Sequence, residues 1–174
     1  MINGYHIEDF KAFKSRMNTW DSKVKKSIVI CLKDNQKKAK LFNLLKNKFA
    51  IINAIHPDST ISPTSNLGMG IIVNAKAVIQ PHSTIGQGCM IHAGVVIEHD
   101  CLIGDFVNLA PGVLLAGGVA IGSGTTVYTG SIVAPNVKIG NCCVIGAGSL
   151  VLEDIPNNVF AYGRPARVIE EKTE

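Results

Sequence analysis

The 174-residue sequence lacks the marks of several protein classes. No stretch approaches the roughly 18 unbroken apolar residues of a membrane span. The start, MINGYHIEDF, has no basic residues followed by an apolar block, so no secretory signal is expected. The five cysteines (Cys31, Cys89, Cys101, Cys142 and Cys143) contain no C-x-x-C, and their odd number argues against a secreted disulfide scaffold. A reduced, cytoplasmic protein is the expectation. Charged residues make up 17% and aromatics 6%. A packed helical bundle usually carries more charge, and the chain is too apolar for intrinsic disorder.

What charge there is divides unevenly. The net charge is +8 over residues 1–53 and −4 over residues 54–174. All but one of the glycines follow residue 66. The expected organisation is a small α/β unit over 1–53, a repeat domain over 54–160 and a tail over 161–174.

The repeat has a period of six. Counting in sixes from Ile55, through Ile61, Leu67 and Val73, to Val151, every position is aliphatic and no insertion interrupts the series. Four residues further on stand small or β-branched residues such as Ser83, Cys89, Val95, Cys101 and Thr125. Turn formers lie between the two, among them Gly88, Gly94, Gly112, Gly118 and Gly130, with Pro81, Pro111 and Pro135 one position earlier in their own hexapeptides. Each hexapeptide therefore reads as a short strand and a bend. Gly68, Gly86, Gly104, Gly122 and Gly140 recur every 18 residues, so three hexapeptides make one triangular coil. The expected fold is mainly β: a parallel β-helix of five to six coils, about 27 Å long at one strand spacing per coil. Cys89, Cys101 and Cys143 fall on the small inward position and read as core.

Ahead of the repeat, Ile7, Phe10, Phe13 and Met17 give a weak helical pattern over 7–17. Residues 27–32 read as a strand. Residues 34–48 read as a helix capped by Asp34 or Asn35, with Leu41, Leu44, Leu45 and Phe49 as its apolar stripe. Residues 50–54 read as a second strand. Strand, helix, strand points to part of a Rossmann-like layer. Lys37, Lys38, Lys40, Lys46 and Lys48 read as a solvated helix face, and no motif supports nucleic-acid binding.

Chemistry is sought among side chains that break the economy of the repeat. His56 opens the coils, His82 lies on a turn and His92 on a strand face. His99 stands in Glu98-His99-Asp100, the only acid–His–acid run in the chain. An imidazole suits proton transfer near neutral pH, and an adjacent carboxylate fixes its tautomer and stabilises the imidazolium. Stacking by 18 puts Gly117 beside His99. The Gly117-Gly118 pair permits close approach of a ligand, and a free N–H there would face an oxyanion.

The repeat resembles the bacterial hexapeptide transferases, which implies a left-handed coil. IEHDCLIGDFV (97–107), LLAGGVAIG (114–122) and YGRPARVI (162–169) resemble the sialic acid O-acetyltransferase and bacillosamine N-acetyltransferase group. That resemblance implies an acetyl-CoA-dependent sugar or nucleotide-sugar acetyltransferase of bacterial surface glycan synthesis. It implies His99 as general base, Asp100 as its supporting acid and the Gly117 N–H against the thioester carbonyl. It also implies acetyl-CoA contacts from Asn108, Gly117, Thr129 and Ala147, no metal, and a homotrimer with active sites between subunits. The family usually opens with a strand and a glycine-rich loop that holds the nucleotide sugar. This chain starts after that loop, so its N-terminal domain reads as truncated. Lys33 stands where a glycine is common and Asn108 where many members have a second histidine. Two other readings compete: a non-catalytic solenoid without a sugar-nucleotide site, and a metal enzyme like the γ-class carbonic anhydrases using His82, His92 and His99.

Overall fold

A six-residue repeat closes into a prism only if the chain turns sharply once per repeat and the coils come close enough to pair. This computed structural model describes residues 27–171, and both conditions are met. The helix expected over 7–17 lies outside the described residues. Two short strands, β1 (Ser27–Ile28) and β2 (Ala50–Ile51), pair in parallel and flank helix α1 (Asn35–Leu45). Seventeen two-residue strands follow, β3 (Ala54–Ile55) to β19 (Leu150–Val151), one for each expected hexapeptide. They stack in parallel with partners 18 residues apart, as in Val78↔Val96↔Leu114. Two longer strands, β20 (Val159–Gly163) and β21 (Ala166–Glu171), finish the chain as an antiparallel hairpin. β20 adds in parallel to β18 (Val144–Ile145), so the expected division at 160/161 falls inside a strand.

The prism has three faces. Face 1 starts at Ala54–Ile55, face 2 at Thr60–Ile61 and face 3 at Asn66–Leu67. From Gly70 to Gly148 every corner is made by one residue with left-handed φ. Glycine fills many of these positions, as at Gly94 and Gly118. His82, Asp100, Phe106 and Asn136 also adopt it, a conformation that costs an L-residue about 1–2 kcal/mol. The repeating aliphatics meet inside, and Ile79, Ile97, Leu115 and Val133 stack at 1% exposure or less. Cys89, Cys101 and Cys143 are fully buried, as expected from their inward position.

The 18-residue glycine column has a different cause from the turns. A Cβ on Gly86 would lie 2.6 Å from the Gly104 carbonyl carbon, and one on Gly122 would lie 2.5 Å from that of Gly140. Successive coils touch there, at the 3/1 edge. A polar ladder runs up the same edge. The Gln87 N–H donates to Asp105 Oδ1 (3.0 Å), Asp105 N–H to Ser123 Oγ (3.0 Å), Ser123 N–H to Asn141 Oδ1 (2.8 Å) and Asn141 N–H to Asn157 Oδ1 (2.6 Å). Each side chain thus satisfies a corner N–H from the coil before it.

α1 docks on this edge. Asp34 is its N-cap, accepting the Lys37 N–H at 2.9 Å. The helix turns Phe42 and Leu45 inward, at 0% and 1% exposure, and Phe42 meets Phe106 edge-on with centroids 5.4 Å apart. Leu41, Leu44 and Phe49 are only partly buried around them. The lysine run also needs correction. Lys38 is fully buried, with Nζ donating to the Gly88 carbonyl at 3.2 Å. It lies one turn before Phe42, so the face that buries the phenylalanine takes the lysine with it.

Candidate active site

His99 lies on the 2/3 edge, in the coil formed by Val96–Ile97 and Leu102–Ile103. Its inward neighbours Ile97 and Cys101 anchor the corner, and the ring stands outside. Nδ1 is 2.8 Å from Asp100 Oδ2, with both side chains 62% exposed. Asp100 reaches back to its neighbour because it occupies the left-handed corner position, φ 60°. This bond leaves Nε2 as the ring nitrogen open to a substrate proton.

The ring lies over Gly117 on the next coil. A Cβ there would sit 2.7 Å from both Cε1 and Nε2 of His99. Gly117 is absent from the left-handed glycines, so close approach, not backbone conformation, requires its missing side chain. At this place in the repeat, many corners lose their donor to proline (Pro63, Pro81, Pro111 and Pro135). The 3/1 edge satisfies it by the polar ladder. Gly117 has neither, and among the described residues its N–H has no acceptor. The N–H groups of Thr129 and Ala147, at the same place in the repeat on the 1/2 edge, are equally unpartnered. Such donors suit the carbonyl-rich chain of a CoA thioester.

One prism does not gather all the expected residues. His99, Asp100 and Gly117 share the 2/3 edge, and Thr129 and Ala147 stack on the 1/2 edge, across face 2. Asn108 lies on face 1, at 7% exposure, with Oδ1 buried and unpartnered. His92 is half-buried beside it, and desolvation pushes its imidazole below the ordinary value. His82 stands on the 2/3 edge with His99, whereas His92 is on the 1/2 side. Among the described residues, no three metal-ligating side chains come together. Cys101 points inward and donates to the Ala116 carbonyl at 3.3 Å, away from any substrate. Burial raises its pKa.

The family model "Bacterial transferase hexapeptide (six repeats)" matches residues 82–117 and 118–153. A comparison with curated proteins gives no match. Among solved structures, the chain is similar to a histidine-to-asparagine mutant of perosamine N-acetyltransferase from Caulobacter crescentus, in complex with CoA and GDP-perosamine. The two share 33% identity and a TM-score of 0.86 over 94% of this chain and 76% of that one. The chain belongs to the hexapeptide-repeat sugar acetyltransferases. This acetyltransferase is also similar to the acetyltransferase domain of PglB from Neisseria gonorrhoeae in complex with acetyl coenzyme A, at 28% identity and TM-score 0.87, covering 97% of this chain and 81% of that one. WeeI from Acinetobacter baumannii, at 24% identity and TM-score 0.84 over 97% and 80% of the two chains, shares the fold. The acetyltransferase coil is left-handed, as in these neighbours.

Sequence reasoning missed how the helix of the acetyltransferase grips the prism. Lys38 and Asn35 both reach the prism from α1, and Asn35 Nδ2 donates to the Gly124 carbonyl and Thr126 Oγ1, each at 3.1 Å. No periodicity links a helix residue to a repeat residue 50 or about 90 positions away.

Proposed function

We propose that the enzyme transfers acetyl from acetyl-CoA directly to an amine or hydroxyl of a sugar or nucleotide sugar, in cytoplasmic synthesis of bacterial surface glycans. The observation that carries this reading is the His99–Asp100 pair seated over Gly117. In this mechanism Nε2 takes the proton of the acceptor group as that group attacks the acetyl carbonyl. Asp100 stabilises the imidazolium, the Gly117 N–H stabilises the tetrahedral oxyanion, and CoA departs with its sulfur reprotonated. No covalent enzyme intermediate is formed. The N–H groups of Gly117, Thr129 and Ala147, with the Asn108 amide, would hold acetyl-CoA.

The separation of these residues supports a shared site. Face 2 lies between the two edges and presents Val78, Val96, Leu114, Ile132 and Leu150 as one outward apolar column. Turning face 2 of three copies toward a common axis brings the 2/3 edge of each copy against the 1/2 edge of the next. His99 and Gly117 of one subunit would then face Thr129 and Ala147 of its neighbour. Light scattering at micromolar concentration should give a homotrimer, and a monomer would refute the shared site.

The Caulobacter relative is recorded in complex with CoA and GDP-perosamine in two histidine-substituted forms. The test for this chain is CoA release with a panel of amino- and hydroxy-sugar nucleotides, GDP-perosamine included. His99→Ala should lower turnover about 10²–10⁴-fold and leave acetyl-CoA binding and assembly intact. Asp100→Asn should lower it less. Wild-type turnover in His99→Ala would refute the general-base role.

A further inference from the structure

The two ends of the prism are finished differently. At the far end the hairpin β20–β21 seals the last coil, and Ile155, Val159, Ala161 and Ala166 are buried there. The near end has no such cover among the described residues. Ile55 heads the inward column of face 1 and is 45% exposed, whereas Val73 and Ile91 above it are at 1% and 0%. Ile61 and Leu67 head the other two columns and are only partly buried, whereas Ile79 and Ile85 above them are buried. Ile52 and Met69 add exposed apolar side chains to this coil and its approach. A solenoid needs its terminal coil covered, because its interior otherwise meets water.

The backbone at this end is open too. Each coil donates strand N–H groups to the coil above, as His56 N–H does to the Val73 carbonyl at 2.9 Å. The strand carbonyls therefore accept from the coil below, and those of Ile55, Ile61 and Leu67 have no backbone donor among the described residues. The end is an apolar patch ringed by hydrogen-bond acceptors, which fits an apolar occupant with basic donors beside it. α1 does not supply that, because its contacts run up the 3/1 edge from Gly70 through Gly88 to Gly124.

We propose that this end is an interaction surface for the chain's own N-terminal segment, residues 7–17. The segment carries Ile7, Phe10, Phe13 and Met17 at helical spacing, with Lys11, Lys14 and Arg16 among them. Its attachment point is close by: Ser27 pairs with Ala50, four residues before the first coil opens at Ala54. Residues 18–26 reach up to about 30 Å, and a six-residue face is at most about 20 Å wide. The segment therefore reaches every part of the end. Its apolar stripe covers Ile55, Ile61 and Leu67, and its basic side chains donate to the carbonyls around them. The patch would also admit a second copy of the chain, but a short tether holds its own segment at a millimolar effective concentration. The interaction involves neither acetyl-CoA nor a sugar, so it is independent of the transferase reading.

The test is hydrogen–deuterium exchange of the full chain, read by mass spectrometry over residues 7–17 and 54–69. Wild type should protect both stretches. Phe10→Asp combined with Phe13→Asp should speed exchange over 54–69 about tenfold or more, because a terminal coil without its cover frays. Ile55→Glu, on the other side of the contact, should speed exchange over 7–17 by about the same factor. Exchange over 90–151 should stay unchanged in both variants, as the control for folding. Residues 7–17 exchanging at the rate of an unfolded chain in wild type would overturn the proposal, and so would either variant leaving the opposite stretch unchanged. Protection of 54–69 that grows with protein concentration and survives the double substitution would put a second copy there and sink the proposal as well.

Discussion

Replacing Gly117 with alanine should cost activity and spare the fold. The new Cβ would lie 2.7 Å from two atoms of the His99 ring, and ordinary contact begins near 3.4 Å. The ring must therefore retreat by about 0.7 Å or swing aside. Swinging is open to it, because the side chain is 62% exposed, but that motion breaks the 2.8 Å link to Asp100. Alanine adopts the Gly117 backbone without strain, since φ there is not left-handed. Misplacing a reacting group by about 1 Å costs on the order of 10²-fold, so kcat/KM should fall by about that factor at an unchanged Tm. The assay is initial-rate CoA release, paired with thermal denaturation. Gly118→Ala is the contrasting variant. It places alanine at φ +71° and against the Asn136 amide oxygen, so it should lose about 1–2 kcal/mol of stability. Wild-type kcat/KM in Gly117→Ala would refute the seating of His99 over that glycine.

Three further outcomes concern the interior. Cys89→Leu should destabilise by about 1–3 kcal/mol, because Cys89 is fully buried with its thiol 3.1 Å from the Gly104 carbonyl; an unchanged Tm would contradict that packing. Burial lowers the His92 pKa, so the unfolded chain binds the proton first as pH falls below 6.5, and stability should drop there. Denaturant melts from pH 7 to 4 should show a shallower loss in His92→Gln than in wild type, and parallel curves would remove His92 as the cause. Desolvation likewise lowers the Lys38 pKa below 10.5, so stability gains a rising component as pH climbs from the folded pKa toward that value. The wild-type-minus-Lys38→Met stability difference should carry that rise, and a flat difference would mean that Lys38 ionises as a solvated lysine.

The prism was legible because one period governs every coil, so Ile97 or Leu115 needs no knowledge of its neighbours to be placed inside. The contact of His99 with Gly117 was legible for the same reason: a fixed offset of 18 turns sequence distance into contact. Lys38 was not. A lysine among lysines reads as solvated, and only the docking of α1 against Gly88 makes it interior. Phe42 was missed because its partner, Phe106, belongs to a repeat whose own pattern does not specify an aromatic corner. Asn108 was placed by resemblance alone, and its burial on face 1 follows from side-chain packing that no periodicity records.

The uninterrupted repeat makes the molecule a screw of fixed thread. Removing 18 consecutive residues of the repeat would shorten it by one coil and return each remaining side chain to its own face. Removing six would advance everything downstream by one face, with the interior still filled by aliphatics. Thr129 and Ala147 would then leave the edge they occupy, and Gly122 and Gly140 would leave the edge where close coil contact requires them. The aliphatic interior thus cannot count hexapeptides, but the corners can. Spacing of the edge residues in multiples of three hexapeptides is set by the alignment of distant corners, not by the filling of the interior between them.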